Sequence, residues 1–169
     1  MTTWAIEPMR IARMSNDSTP LRNEAHIEEA SQSYSKYDPV ILDASTRNEI
    51  EIFANVAKAS ASGILGLTKL DATGVAGSAT VVEEIRSGTI LEANYLKASS
   101  AAFALTDLGD LKRIAEDSSG NWCLYDDNSS GILLATIRGL AGMSEVGDIQ
   151  ARVEFTIVND YLELERDLT

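Results

Sequence analysis

The chain contains very few residues able to perform chemistry. His26 is its only histidine and Cys123 its only cysteine among 169 residues. Without a second histidine, the familiar zinc sites and two-histidine iron sites cannot form. A Ser-His-Asp triad would have to use His26, and no Gly-x-Ser-x-Gly elbow accompanies it. We therefore expect His26 to be a packing or surface residue.

Cys123 lies between Trp122 and Leu124, with no basic residue within several positions. A free cysteine behaves as a small buried hydrophobic residue unless a positive environment lowers the pKa of its thiol. The sequence therefore predicts a structural role for Cys123. A single cysteine also excludes an internal disulfide, so the chain needs no oxidation to fold and suits a reducing cytoplasm.

Paired carboxylates are the remaining candidates for catalysis, because a glycosidase needs only two acids that face each other across a cleft. The candidate pairs are Glu83 with Glu84, Asp107 with Asp110, and Asp126 with Asp127. Among 26 acidic residues such pairs arise by chance. The Asp126-Asp127-Asn128 run lacks the spacing and the distal glutamate of a calcium loop. We interpret this run as a solvated turn, predict no cofactor, metal ion or enzymatic activity, and rank an acid-pair glycosidase last.

The net charge of −12 is unevenly distributed along the chain. Residues 1–25 contain three basic and three acidic side chains, which leaves 11 basic and 23 acidic side chains in the remainder. Such an acidic surface repels phosphate backbones, which argues against nucleic-acid binding. Glu7 and Arg10 interrupt the apolar residues near the start, and no apolar run approaches about 18 residues. The sequence predicts neither a signal peptide nor a membrane span.

Residues 1–25 differ from the rest and predict an extended N-terminal arm. Trp4, Ile6, Met9 and Ile11 are scattered among polar residues without a helical or strand period. Apolar side chains on such an arm need to dock on the same subunit, on a neighbouring subunit or on another protein.

Residues 26–169 read as a single β-rich domain. Pro39 to Leu42 begins one strand, and Ile50 and Ile52 alternate with glutamates in another. Val153, Phe155 and Ile157 give the clearest alternation. Many short strands between turn signals indicate a mainly β fold, a compact β-barrel or β-sandwich with one short helix in residues 94–108. For residues 48–59 we favour strand narrowly over helix.

The stretch from Asp117 to Gly131 places an aromatic strand, Trp122 to Tyr125, between two clusters of turn residues. Strand side chains alternate between faces, so Trp122 and Leu124 should point one way and Cys123 and Tyr125 the other. We expect Trp122 to be inside.

Several segments, taken in order, resemble the capsid decoration (structural cement) proteins of tailed bacteriophages. They span about residues 30–158 and are Ala30-Ser31-Gln32 leading into Pro39-Val40, Ser87-Gly88-Thr89-Ile90-Leu91-Glu92-Ala93-Asn94, Thr106-Asp107-Leu108-Gly109, Gly120-Asn121-Trp122-Cys123-Leu124-Tyr125-Asp126, Ile137-Arg138-Gly139-Leu140 and Gly147-Asp148-Ile149-Gln150-Ala151-Arg152-Val153-Glu154-Phe155. One departure is Tyr37-Asp38, which stands where a glycine is common in that family.

The resemblance implies a non-enzymatic virion protein, made in the host cytoplasm, that sits on the outer surface of an icosahedral head. It would clamp neighbouring major capsid protein subunits, commonly as a homotrimer and without cofactors. The arm lies outside the resembling segments. We predict that Trp4, Ile6, Met9 and Ile11 contact a neighbouring subunit or the shell.

A second hypothesis is a β module of a phage particle that binds carbohydrate or a cell surface. In that case Trp122 and Tyr125 would form the stacking platform, because aromatic faces are suited to packing against sugar rings.

Overall fold

A computed structural model describes residues 1–14, 22–23, 26–43, 46, 48–53, 63–126 and 133–162, with only the backbone of residues 22–23. Its strands, in chain order, are β1 (Arg10–Arg13), β2 (Arg22–Asn23), β3 (Ile27–Glu28), β4 (Pro39–Leu42), β5 (Glu49–Ile52), β6 (Gly66–Thr68), β7 (Val82–Glu84), β8 (Ile90–Leu96), β9 (Leu111–Glu116), β10 (Trp122–Tyr125), β11 (Leu133–Leu140) and β12 (Arg152–Ile157). They form two six-stranded sheets.

The first sheet curls until it closes into a ring of paired strands. Its order is β1-β8-β10-β9-β11-β12, and β12 also pairs with β8. Five strands, β8, β10, β9, β11 and β12, therefore form a ring. Strand β1 pairs with the first half of β8, on the edge that β10 occupies further along.

The second sheet has the order β2-β7-β6-β4-β5-β3. Neighbouring strands are antiparallel except β3 and β5, which run parallel. Ile27 of β3 also bridges to Ala79, just before β7, so this sheet curls as well.

Apolar side chains from both sheets pack into one main core. Ile41, Leu67 and Ile85 of the second-sheet half join Leu91 and Phe155 of the first in a single buried cluster. A smaller cluster around Tyr34 and Val40 lies on the other side of the second sheet. The predicted fold class, a mainly β sandwich or barrel of short strands, is confirmed.

The described helical residues form three single turns of 3-10 helix, at Ala98–Ser100, Leu105–Asp107 and Asn159–Tyr161. The helix expected in residues 94–108 is thus two short turns instead of one α-helix. Asn94 to Leu96 belong to β8, and the backbone is extended at Ala101 and Ala104, between the two turns. The preference for strand at residues 48–59 is confirmed for Glu49–Ile52, and residues 54–59 lie outside the described part.

The aromatic strand is β10, and it faces as predicted. Trp122 and Leu124, 4% and 0% exposed, belong to the main core, and Trp122 packs against the Phe53 ring at a centroid distance of 5.7 Å. Cys123 is also buried, outside that cluster. Burial raises the pKa of its thiol to about 12, so the thiol stays protonated at neutral pH, in keeping with a packing role.

Gly66 marks the closest approach between strands β6 and β7. A Cβ atom at this position would clash with the Glu83 carbonyl oxygen and lie 2.6 Å from Cγ1 of Val82. We predict that Gly66→Ala lowers the free energy of unfolding by about 3 kcal/mol or more, because a backbone atom cannot move aside cheaply.

Gly139 of β11 is the matched control, because a Cβ atom there meets nothing within 4 Å. Gly139→Ala should leave stability unchanged or raise it by up to about 1 kcal/mol. Urea unfolding of both variants measures the difference. Equal stabilities for the two variants would contradict the proposed close approach.

Candidate functional site

Residues 1–14 of the N-terminal arm lie along the first sheet of their own chain, and Arg22–Asn23 (β2) pair with β7 of the second sheet. Strand β1 pairs with β8, placing Arg10 opposite Glu92 and Ile11 opposite Leu91. Met9, 2% exposed, inserts into the main core, and Ile11 packs partly against it. The arm is thus an integral strand of the fold.

A buried polar cluster lies beneath the arm and holds its backbone. Arg152 donates to the Pro8 carbonyl oxygen at 3.0 Å and pairs with Glu92 at 3.2 Å. Asn94 donates to the Ala5 carbonyl oxygen at 3.0 Å. Arg152 and Glu92 are both less than a tenth exposed, so their charges compensate each other within the protein.

The start of the arm is fixed by Asp148. Its carboxylate accepts hydrogen bonds from the Thr2 backbone N–H at 2.7 Å and from the Trp4 indole N–H at 2.8 Å. It also accepts the backbone N–H of Glu145 at 3.0 Å. These donors, the Trp4 indole first, lower the pKa of Asp148, because they favour the ionised form.

The four predicted contact residues of the arm differ in what they leave exposed. Met9 is buried within this chain, whereas Trp4, Ile6 and Ile11 are half-buried. Only the latter three retain side-chain surface for another molecule. Their contact with a neighbouring subunit or a shell stays a prediction.

A second feature, which the sequence did not reveal, is an apolar surface at one end of the strand ring. Strands β8, β10 and β11 end there, β9 and β12 begin there, and residues 97–110 and 141–151 are connections at this end. The following exposed large side chains lie on it: Leu105, Leu108, Leu111, Met143 and Val146, which are between 40% and 81% exposed. We call these five residues the apolar end.

Ion pairs and hydrogen bonds hold the two connections of the apolar end in place. Lys97 pairs with Asp107 at 2.9 Å, and Asp107 also accepts the Ala104 backbone N–H at 2.7 Å. The Phe103 backbone N–H donates to the Asp148 carbonyl oxygen at 2.8 Å, which joins one connection to the other. The exposed leucines and methionine are therefore presented on a pre-organised surface.

Below this surface, Lys112 and Tyr95 converge on one carboxylate. Lys112 pairs with Asp126 at 2.6 Å, and the Tyr95 hydroxyl donates to Asp126 at 2.9 Å. The Lys112 hydrogen bond lowers the pKa of Asp126, while burial and then Asp126 raise the pKa of Tyr95. The network is internally satisfied and reads as a support for the apolar end.

A third feature is the loop that carries Tyr37, which lies beside the arm across a cleft of about 440 Å³. The ammonium groups of Lys36 and Lys69 each lie 4.8 Å from the centre of the Tyr37 ring. Tyr37 has a φ of 76°, a left-handed conformation that costs energy for a bulky residue. A positive φ of this size is the conformation that glycine adopts most easily, so the backbone at this position suits glycine even though the residue is tyrosine.

The other sequence candidates occupy structural positions. His26 is buried, and burial lowers the pKa of its imidazole. Trp122 and Tyr125 were the predicted stacking platform for a carbohydrate. Trp122 is too buried to stack on a sugar, and the guanidinium carbon of Arg113 lies 4.7 Å from the centre of the Tyr125 ring.

The candidate acids pair with basic neighbours. The ion pairs are Glu83 with Lys69, Glu84 with Arg86, Asp107 with Lys97, and Asp110 and Asp126 with Lys112, whereas Asp127 lies outside the described residues. Within the described residues, no group of three or more metal-ligating side chains is present.

No protein-family model matches the chain, and no curated protein matches its sequence. The resemblance drawn from the motifs therefore stays a prediction. Within the part of the chain that the structure describes, no helix is long and apolar enough to cross a membrane.

The buried carboxyl of Asp38, next to Tyr37 in the chain, should make the free energy of unfolding depend on pH. The residue is 7% exposed and its carboxylate accepts the Ser35 backbone N–H at 2.7 Å. Burial, and to a lesser extent the charge of Glu116, raises the pKa of Asp38 from 3.8 to about 6. Because the folded pKa exceeds the unfolded one, the stabilising contribution of protonated Asp38 is complete below about pH 4 and is lost as pH rises through about 6.

Asp38→Asn keeps an oxygen acceptor for Ser35 without a charge. We predict that the variant exceeds the wild-type free energy of unfolding by roughly 2 kcal/mol at pH 7.5, and that this advantage disappears near pH 4. Urea unfolding at both pH values measures it. The exposed Asp160, changed to asparagine, serves as the control, and a pH-independent difference for Asp38→Asn would refute the mechanism.

Proposed function

We propose that the protein is a structural capsid decoration protein that cements the outer surface of an icosahedral phage head. The observation that carries the proposal is the apolar end: large hydrophobic side chains on connections held rigid by internal ion pairs. Large apolar side chains exposed together at one end of a fold are typical of association surfaces. The series of motifs between residues 30 and 158 supplies the class of partner, a major capsid protein.

A clamp of this kind needs contacts between its own copies as well as contacts with the shell. Linked copies bind durably because each later contact forms at a high effective concentration. In this proposal the half-buried arm residues Trp4, Ile6 and Ile11 supply contacts with the shell. Their backbone is already held, at Ile11 by pairing with β8, on both sides of Ile6 by Asn94, and at Trp4 by the Ile149 carbonyl oxygen, so little conformational entropy is lost on binding.

The charge distribution is consistent with a position outside the DNA compartment. A surface with a net charge of −12 has no attraction for packaged nucleic acid, which keeps the protein available for the capsid protein. The ordered arm also leaves no long unpaired strand edge along the first half of β8, which limits aggregation of free copies.

One test of the proposed function concerns the phage heads themselves. Phage heads that lack this protein should rupture at a lower temperature than complete heads, and adding the purified protein back should restore the difference. Co-sedimentation with heads and release of DNA on heating measure binding and robustness. Heads that are equally robust with and without the protein would refute the cementing role.

The second prediction separates binding from folding within the arm. Ile6→Ala should weaken co-sedimentation with heads about tenfold or more. Its free energy of unfolding should change by about 1 kcal/mol or less. Met9→Ala should instead lose about 2–4 kcal/mol of stability, because its side chain is in the core.

Wild-type affinity for heads in a folded Ile6→Ala variant would contradict a role of Ile6 in the shell contact. Measuring both variants by urea unfolding and by co-sedimentation makes the two effects independent.

A further inference from the structure

Three residues with a strained backbone line one cavity of about 310 Å³, where β8 and β10 end and β12 is about to begin. Within the described chain, five residues other than glycine have a positive φ. Ser99, Ser100 and Gln150, with φ values of 56°, 54° and 54°, are three of these five. Left-handed conformations cost energy for residues with a Cβ atom, and they are concentrated at ligand-binding and active sites. We call this space the Gln150 cavity.

The strained backbone of Gln150 is imposed by its neighbours. The Ile149 backbone N–H donates to the Thr2 carbonyl oxygen at 2.7 Å, which ties the preceding residue to the arm. The Asn94 side chain donates to the carbonyl oxygen of Gln150 itself at 2.8 Å. These bonds hold the residue in its left-handed conformation, so the position of its side chain at the cavity is fixed before any ligand arrives.

The polar side chains of the Gln150 cavity offer hydrogen bonds without net charge. The hydroxyls of Ser99 and Ser100 both donate and accept, and the Gln150 carboxamide has two donors and one acceptor oxygen. Among the residues that the structure describes, none of these three groups has a hydrogen-bond partner. The charged lining residue, Lys97, is neutralised by both carboxylate oxygens of Asp107, at 2.9 and 3.0 Å.

The remaining wall of the cavity is aromatic and aliphatic. The half-buried Tyr125 lines it together with Leu96 and Ile149, and the Arg113 guanidinium carbon lies 4.7 Å from the Tyr125 ring centre. An aromatic ring packs well against the apolar face of a sugar ring. A carboxylate or phosphate ligand would need a cation without a partner, and Lys97 already has one. The volume is at the lower end of the range of ligand pockets, roughly 300–1,000 Å³.

We propose that the Gln150 cavity binds an uncharged sugar unit, with the Tyr125 ring against its apolar face and with Ser99, Ser100 and Gln150 on its hydroxyls. The carbohydrate hypothesis from the sequence paired Tyr125 with Trp122, which is buried in the core. The cavity replaces Trp122 with three polar residues on connections that are distant in sequence. Binding here needs neither a phage head nor a second copy of the chain, so it is independent of the cementing role.

The binding test uses the isotope-labelled full chain in solution. It is titrated with uncharged oligosaccharides of glucose, galactose, mannose or N-acetylglucosamine, and binding is followed by NMR. At least one of them should bind in the millimolar range or more tightly and shift the amide resonances of Ser99, Ser100 and Gln150, including the Gln150 side-chain amide. Fragments of polygalacturonate, the acidic counterpart of the galactose series, and inorganic phosphate should leave these resonances unchanged.

Gln150→Gly separates binding from folding. Glycine adopts a left-handed φ easily, so the variant should have a urea midpoint equal to or above that of the wild type. Its affinity for the sugar should fall about tenfold or more, because the carboxamide is lost. Ser31→Gly is the matched control: Ser31 has a φ of 63° and lies outside the cavity, so the variant should gain the same stability and keep wild-type affinity.

Tyr125→Leu tests the ring itself. Leucine keeps an apolar side chain but has no aromatic face, so the affinity for the sugar should again fall about tenfold or more. Its urea midpoint is measured alongside, which shows whether the variant is folded under the conditions of the titration.

Several results would overturn the proposal. They are a panel in which no uncharged sugar shifts the three residues, shifts confined to other parts of the chain, and wild-type affinity in Gln150→Gly. A stronger response to polygalacturonate fragments or phosphate than to the uncharged sugars would also overturn it, because the cavity would then be an anion site. All of these measurements are made without heads, so a failure of the cementing role and a failure of sugar binding are observed separately.

Discussion

Strand β8 is the constraint on which the rest of the structure depends. It pairs with β12 on one edge and, along the other edge, first with β1 and then with β10. The ring closes at β8, the arm docks on β8, and the polar cluster beneath the arm contains its residues Glu92 and Asn94. Residues 91–95 are all buried, so the middle of this strand is not available to other molecules.

Because of these contacts, the start of the arm is bound to its own chain and does not extend freely into solution. An arm that hung freely in solution would expose Met9 and Ile11 and would lose conformational entropy on every binding event. Here Arg152 and Asp148 bind its backbone and its first tryptophan, so the arm presents a fixed set of half-buried side chains. In the proposed cementing role such rigidity is an advantage, because flexibility in the contact surface would weaken the stabilisation of the partner.

The sequence predicted the parts of the fold that depend on local pattern. The strand from Pro39 to Leu42 follows from an apolar run that begins with proline. The alternation around Phe155 and the shared face of Trp122 and Leu124 follow from the two-residue period of side chains in a strand. The prediction of a helix in residues 94–108 relied on alanine-rich composition, which favours a helix. Asn94 instead belongs to β8, and its side chain donates to the Ala5 carbonyl oxygen.

The candidate surfaces were harder to predict for a physical reason. Leu105 and Met143 lie in turn-rich segments, where no period distinguishes a buried leucine from an exposed one, and the neighbours that decide their burial are distant in sequence. The same holds for Arg152 and Asp148, which act on residues almost the whole chain away. One local signal was available: an apolar residue beside glycine in a turn, as in Leu108-Gly109 and Val146-Gly147, has no strand or helix face to bury it.

The long separation between Arg152 and the arm also has a consequence for synthesis. Arg152, which binds the Pro8 carbonyl oxygen, follows it by 144 residues. At the usual elongation rates, a ribosome needs about 7 to 30 seconds to cover that distance. During this interval the apolar side chains of the arm have no completed sheet to dock on, so the arm reaches its native contacts only after Arg152 has been made.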